Sequence, residues 1–409
     1  MNLYDVAIIG GGFSGLCLAS MLDRKKVGKV VVFEGNKRVG KKILVTGNGQ
    51  GNVTNMQMSA AFYHGDREFA ANALARFDNI ALINFFSSLG LLTCERDGKV
   101  YPASFVAGAL SDVLRFRLAD NGIEVLTERL ITDVASKGDR FLITDSSGGV
   151  FNALNVVFAF GGSSGDGFLT DGKSFALARK LGHTVGELSP SLVQIKTERD
   201  IIKGLKGIKQ EAYATIYDGD KPIKTVLGDV LFTDFGISGN CAFALSAYLK
   251  GLKKPNVGIS FLPQYDEKKL YDALCKKAEK PTDYGRLLVS VLPLRLALAV
   301  LKRCGFNESA VADEKGILKI VGAIKRFSLK TEGTAGFKSS QVTAGGINTR
   351  EVDVSTMESK LVGGLYIIGE ALDVDGDCGG YNLQWAYTSA AVCADALNKK
   401  RTGKDKKQN

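Results

Sequence analysis

The stretch Leu3-Tyr4-Asp5-Val6-Ala7-Ile8-Ile9-Gly10-Gly11-Gly12-Phe13-Ser14-Gly15, followed by Leu16 to Arg24 and by Lys29-Val30-Val31-Val32-Phe33-Glu34, decides the fold. An apolar run, a glycine turn, a helical stretch and a second apolar run make a βαβ unit. Gly10-x-Gly12-x-x-Gly15 lies between the predicted strand and helix, and Glu34 ends the next strand. In that context Gly10 permits a tight turn, Gly12 lets backbone approach a pyrophosphate, and Gly15 packs helix against strand. Phe13 and Ser14 open the helix, whose N–H groups face the phosphates. Glu34, with Gly35 after it, accepts hydrogen bonds from ribose hydroxyls and disfavours a 2′-phosphate, so FAD or NAD is expected rather than NADP.

FAD is preferred because the chain supplies further glycine-rich strand ends suited to a long ligand and no catalytic dehydrogenase domain. These ends are Gly161-Gly162, Gly345-Gly346, Gly369-Glu370 and Gly379-Gly380. Gly364 to Glu370 reads as a strand delivering a carboxylate beside a glycine, with Glu370 expected on the ribitol hydroxyls. Gly379-Gly380-Tyr381-Asn382-Leu383 precedes or opens the last helix, so its N–H groups and positive dipole end face the flavin pyrimidine edge, where negative charge develops on reduction. Asn382 is also read as a helix cap. The basic glycine-rich loop Gly40-Lys41-Lys42 to Gly47-Asn48-Gly49-Gln50-Gly51-Asn52 lets backbone approach the flavin, with Lys41 or Lys42 near phosphate. There is no second G-x-G-x-x-G after a strand, so a nicotinamide donor binds in a less standard groove.

At 409 residues, 45% apolar and 23% charged, the chain is ordinary for a globular protein of two or three domains. Forty-eight glycines against seven prolines mark tight turns and close backbone approaches rather than disorder. The longest apolar run, Leu287 to Leu301, is broken by Pro293 and Arg295 and is too short to span a bilayer. No leader is read at the N-terminus, and seven scattered cysteines without C-x-x-C or zinc spacing suit a reducing cytosol. A cytoplasmic protein without membrane or metal is expected. The net charge of +10 is assigned partly to a solvated tail from Lys399 to Lys407, so no nucleic-acid partner is expected, and the oligomeric state is left open.

Helices are predicted around Ile80 to Leu89, Leu110 to Leu118, Asp171 to Leu181 and Asn382 to Leu397. A small β-meander covers Ile123–Leu126, Leu130–Val134 and Arg140–Thr144. The expected organisation is an N-terminal FAD part over 1–186, an inserted β-rich domain over 187–263, a helical subdomain over 264–340, and the C-terminal FAD part with the basic tail over 341–409. The fold class is therefore α/β, a discontinuous Rossmann-like domain with a β-barrel-like insert and a helical piece.

No catalytic residue is legible. His64 and His183 sit in no catalytic pattern and read as structural or surface groups, which leaves Tyr381, a carboxylate or water for proton transfer. Cys378 reads as a small packing residue.

Five segments together resemble a bacterial family of aminoacetone-oxidase-like and bile-acid-reductase-like FAD-binding oxidoreductases. They are Arg38 to Gly49, Leu231 to Gly239, Val342 to Ile347, Thr356 to Val362, and Gly369-Glu370 with Gly379 to Gln384. The resemblance spans nearly the whole chain and implies non-covalent FAD, with its ring where the domains meet. The chain departs from the family pattern at Gln50-Gly51, where Arg-Cys is usual, so a cation is expected to be missing there.

The resemblance implies an FAD-dependent reductase that takes hydride from NAD(P)H and reduces a conjugated, apolar oxo compound such as an unsaturated steroid. Two alternatives stand beside it: an FAD-dependent oxidase of small amines that releases hydrogen peroxide, and an FAD-linked RNA-binding or RNA-modifying protein.

Overall fold

The computed structural model describes residues 3–400, which divide into two compact units. The first comprises 3–190 and 341–400, and the second is Ser191–Ser340. The part of the basic tail from Arg401 onward lies outside the described residues.

The first unit is built on a sheet with a parallel centre. Its strands include β1 (Leu3–Ile9), β2 (Val30–Phe33), β3 (Val150–Phe158) and β4 (Leu365–Ile367). Val30 to Phe33 are all buried, the unbroken apolar texture of a strand covered on both faces. The order is Glu124–Leu126, β2, β1, β3, after which β3 is shared. Its last residues pair parallel with β4 and its first pair antiparallel with Arg140–Asp145, itself joined to Ile131–Lys137.

The predicted meander is thus only partly right. The run ending at Leu126 leaves it and lies at the far edge, where Val125 pairs with Val32, because helix Gly108–Asp120 carries the chain across to a parallel position.

Helix α1 (Phe13–Met21) is buried from Phe13 to Ser20 and packs on helix α2 (Tyr381–Lys399), whose Ala390, Ala391, Cys393 and Ala394 are also buried. Burial all round identifies α1 as a core helix. The two ends of the chain therefore share one hydrophobic core.

The second unit is a closed six-stranded barrel, ordered Ile195–Thr197, Gly236–Ser238, Lys221–Phe232, Lys209–Asp218, Pro255–Phe261 and Phe327–Thr334. The strand that closes it follows the helices Glu267–Lys277, Tyr284–Leu288, Leu294–Cys304 and Glu314–Lys325. These helices are an excursion between two barrel strands, and their buried faces belong to the same core as the barrel interior. Buried Phe327 and Leu329 alternate with Ser328 and Lys330, a period of two that is short and easily hidden beside longer helical patterns.

Among the described residues no helix is long and apolar enough to cross a membrane, and no group of three His, Cys, Asp or Glu could hold a metal. The seven cysteines are free thiols.

His183 is 3% exposed and held between Glu351 Oε2 at 3.0 Å and Ser359 Oγ at 2.8 Å. Burial holds its pKa below the ordinary 6.5, with Glu351 opposing. The unfolded chain binds that proton more readily, so this contribution to stability is complete above about pH 6.5 and is lost as pH falls through the lowered folded value. Burial also disfavours charge on Glu351, but hydrogen bonds from Thr184 and His183 outweigh it and hold the carboxyl below its ordinary range, which acts in the same direction. The urea midpoint of the wild type should fall between about pH 7 and pH 5, and less steeply in His183→Gln. Identical pH slopes would remove His183 from this role.

Candidate functional site

The parallel register sets the site. Ile9 is level with Phe33 on one side and Phe158 on the other, and Phe158 is level with Ile367. Four strands end at one edge of the sheet, from which Gly10, Glu34, Gly161-Gly162 and Gly369-Glu370 emerge. Ligands of open α/β sheets bind outside such carboxyl ends.

The three motif glycines have distinct roles. A Cβ on Gly10, at φ +113°, would lie 2.3 Å from the Ala159 carbonyl oxygen, and one on Gly15 would lie 2.0 Å from the Gly10 carbonyl oxygen. Both are forced by backbone packing. A Cβ on Gly12 would meet no protein atom within 4 Å. Gly12 is the N-cap of α1 without a side-chain cap, and the first helical bond runs from Leu16 N–H to the Gly12 carbonyl, so the N–H groups of Phe13, Ser14 and Gly15 precede it. This is an anion-accepting helix start.

Glu34 Oε2 accepts from Gly11 N–H at 3.1 Å, and Oε1 accepts from both the backbone and side-chain N–H of Asn36 at 2.7 Å. The carboxylate is thereby fixed beside the glycine turn. Gly35 is a packing position, since a Cβ there would meet Leu169 at 2.9 Å and Leu130 at 3.3 Å. Lys41 Nζ donates to the Gly167 carbonyl at 2.7 Å and Asn36 Nδ2 to the Phe168 carbonyl at 3.2 Å, which lays residues 167–168 alongside Glu34. The sequence carried no signal for that segment.

Of the two lysines expected near phosphate, Lys42 pairs with the half-buried Glu370, Nζ to Oε2 at 3.0 Å. Glu370 Oε1 accepts from Thr343 N–H at 2.8 Å, and Thr343 Oγ1 accepts from Ser163 N–H at 2.7 Å. Ser164 Oγ also lies 2.7 Å from Thr343 Oγ1. A Cβ on Gly162 would fall 2.4 Å from Thr343 Oγ1 and 2.7 Å from Glu370 Oε1. Thr343, Ser163 and Ser164 carry no site signal of their own in the sequence, since short polar residues beside glycines look like any turn. Gly161 adopts φ +77° at this strand end. Gly345, two residues beyond Thr343, is packed on the chain at Glu187, since a Cβ there would be 2.3 Å from the Glu187 carbonyl oxygen.

Gly369, at φ +68°, has Ser14 Oγ 2.7 Å from the position of a Cβ, so the start of α1 and the Glu370 turn adjoin. Gly369 donates to Ser389 Oγ at 2.9 Å and accepts from Trp385 Nε1 at 3.1 Å.

At the start of α2 the N-cap is Gly380, and Asn382 is not the cap. Its amide brackets Gly376, accepting from the N–H at 2.8 Å and donating to the carbonyl at 2.7 Å. A side chain already inside the helix cannot turn back to cap it and instead ties the preceding loop. The first helical bond is Gln384 N–H to the Gly380 carbonyl, leaving the N–H groups of Tyr381, Asn382 and Leu383 at the open end. Gly380, at φ +99°, is pressed on Thr54 backbone, with 2.6 Å from a Cβ position to its carbonyl oxygen. Asn55 Nδ2 donates to the Gly379 carbonyl at 3.1 Å.

Tyr381 is 4% exposed, stacked on Phe62 at 4.7 Å, and donates to the Gln57 carbonyl at 3.1 Å. Burial, helped by Asp377, pushes its hydroxyl up to about 12. This is a packing arrangement that holds the proton. Near it, His64 Nε2 lies 2.8 Å from Asp377 Oδ1, a pairing that no sequence spacing announced. Cys378 is half-buried, and burial raises its thiol despite nearby Lys99.

In the loop after Lys42, Gly47 and Asn48 are exposed, with Asn48 at φ +55°. Gly49, at φ +82°, precedes Gln50, and its carbonyl accepts from Ala107 N–H at 2.8 Å. Asn52 is buried and uses Nδ2 on the Thr54 and Val100 carbonyls. Position 50 does not lack a cation after all. Arg96, from the neighbouring hairpin, donates to Gln50 Oε1 at 2.6 Å.

A family model, HI0933-like protein Rossmann domain, matches residues 4–396. The chain belongs to the HI0933-like family of FAD-dependent oxidoreductases. Its match to the 3-dehydro-bile acid delta(4,6)-reductase of Clostridium scindens is 34% identical, covering 96% of this chain and 98% of that one. The ribosomal RNA dihydrouridine synthase of Haemophilus influenzae is 30% identical over the same shares. In fold, the HI0933-like chain resembles the 3-ketosteroid-delta4-(5alpha)-dehydrogenase of Rhodococcus jostii, solved with 4-androstene-3,17-dione, at a TM-score of 0.53 and 13% identity over 97% of each chain. The site of this HI0933-like enzyme fits a dinucleotide, with an uncapped helix start, a glycine open to a ligand and a carboxylate beside it.

Proposed function

We propose that this enzyme reduces a conjugated carbon–carbon double bond of an apolar oxo compound of steroid or bile-acid type, with NAD(P)H as the source of hydride. The observation that carries the substrate class is the end-to-end match to the bile-acid reductase. In this reading Gly12 and the N–H groups of Phe13 to Gly15 hold the pyrophosphate, Glu34 holds the adenosine ribose, and the Glu370–Lys42 pair holds the ribitol. The open end of α2 holds the pyrimidine edge. Bound FAD supplies hydride transfer.

Adding hydride to an enone also requires a proton at the neighbouring carbon. Tyr381, buried and tied to Gln57, is poorly placed to give one. The His64 imidazole, oriented by Asp377 in the segment that leads into α2, can carry and release a proton. His64 is therefore assigned as proton donor.

Anaerobic mixing with NADH or NADPH should bleach the flavin, and a 3-oxo-Δ4 steroid should restore its colour. His64→Gln should leave bleaching intact and slow the recolouring step about 100-fold. Loss of bleaching with both nucleotides would overturn the proposal, and unchanged recolouring would remove His64 from it. Peroxide released on mixing with an amine alone would favour the oxidase reading.

A second reading has an observation of its own: the full-length match to a ribosomal RNA dihydrouridine synthase, in a chain of net charge +10. Dihydrouridine in rRNA from a deletion strain, restored by the gene, tests it.

A further inference from the structure

We infer that the hairpin Thr93–Arg96/Lys99–Pro102 carries an anion-binding element of this site, in which Arg96 and Lys99 receive a carboxylate at the end of the substrate remote from the reacting double bond. The inference rests on the steroid reading above and extends it to the acidic members of that class.

Arg96 and Lys99 are directly opposed across the two-residue turn Asp97-Gly98, so both side chains leave the same face of the hairpin. Neither forms a salt bridge with a carboxylate among the described residues. Of the hairpin's two acids, Glu95 alternates to the other face and accepts from Gly98 N–H at 2.6 Å, and Asp97, exposed in the turn, pairs with neither cation. Two cations on one face, neither of them held in an ion pair, form a site for an anion.

Arg96 is exposed yet held on three sides. Its guanidinium lies 4.5 Å from the Phe105 ring centre and 5.1 Å from that of Tyr101, and it donates to Gln50 Oε1. Gln50 carries no charge, so the hydrogen bond orients the guanidinium without neutralising it, and the remaining N–H donors keep their fork for a planar carboxylate. Phe105 adopts φ +52°, a left-handed conformation that a bulky aromatic residue rarely takes.

The hairpin face adjoins the rest of the site. Lys99 Cε lies 3.8 Å from the position of a Cβ on Gly379, at the threshold of α2, and Gln50 belongs to the loop that begins at Lys41 and Lys42. Asn55 pairs with Lys99 across the strands and holds the Gly379 carbonyl, which couples the hairpin to the start of that helix. A substrate with its ring ketone near the flavin can thus present an acidic tail to Arg96.

The test compares 3-oxochol-4-en-24-oic acid with its methyl ester, on the FAD-loaded enzyme, by steady-state kinetics and by calorimetric binding. The wild type should prefer the acid, and added salt should weaken the acid alone. Arg96→Gln should reduce the acid-to-ester preference about 10-fold or more, mainly through KM and Kd. Arg96→Lys should retain part of it, and Lys99→Gln should lose less than Arg96→Gln. Equal losses on acid and ester, or no change in either, would overturn the inference and leave the reductase reading standing. Arg96-dependent binding of the acid without turnover would support the inference while refuting the reductase reading. Failure of the wild type to bind either steroid would overturn both.

Discussion

Gly12→Ala is expected to give a stably folded protein that binds FAD weakly, whereas Gly15→Ala is expected to destabilise the fold itself. The two substitutions add the same methyl group three residues apart in one motif. At Gly12 the backbone sits at φ −79° and ψ −172°, open to any residue, and the new Cβ meets no protein atom. Its only consequence is at the ligand, where a backbone held off the pyrophosphate loses charge-assisted hydrogen bonds and FAD affinity falls about 10- to 100-fold. At Gly15 the new Cβ lies 2.0 Å from the Gly10 carbonyl oxygen, so helix and strand must separate at a cost of about 1–3 kcal/mol or more. Flavin absorbance after gel filtration and the apoprotein melting temperature distinguish the two. A yellow Gly12→Ala enzyme with full flavin occupancy would place the pyrophosphate elsewhere.

Trp385→Ala should be the most damaging substitution in α2. The indole is 1% exposed, packs edge-on to Phe69 with ring centres 6.1 Å apart, and donates from Nε1 to the Gly369 carbonyl. Truncating a buried tryptophan costs about 3–5 kcal/mol. Trp385→Phe keeps most of the packing and removes only the hydrogen bond, at about 1–2 kcal/mol. Because Gly369 positions Glu370, the phenylalanine variant should also bind FAD more weakly than its stability loss explains. Urea denaturation read beside flavin titration gives both quantities. Normal FAD affinity in Trp385→Phe would show that Glu370 needs no such support.

The glycine motif and Glu34 were legible because everything they need is local. A strand, a turn, a helix and a strand lie within Leu3 to Glu34, and the Gly10–Gly15 contact spans five positions. The last helix was legible for the same reason, its apolar periodicity being intact and its glycine pair standing directly before it. Errors arose where a local pattern admits more than one partner. The run ending at Leu126 is equally good as a meander strand or a sheet edge, and Asn382 is a plausible cap until Gly376 is found within its reach. Strand Phe327–Thr334 was hidden behind the helical texture that precedes it.

By itself the sequence determined that a strand, a glycine turn and a helix open the chain, because these follow from backbone requirements of neighbouring residues, and its last helix was assigned to the same domain, with which it shares one core. Only the tertiary structure decided which side chains share the site. Lys42 and Glu370 are 328 residues apart in the chain and 3.0 Å apart in space, and Arg96 reaches Gln50 from a hairpin of its own. The physical reason for the first pair is the parallel register, which brings the ends of distant strands to one level; for the second it is the antiparallel pairing of Lys99 with Asn55, which sets the hairpin beside the loop that carries Gln50.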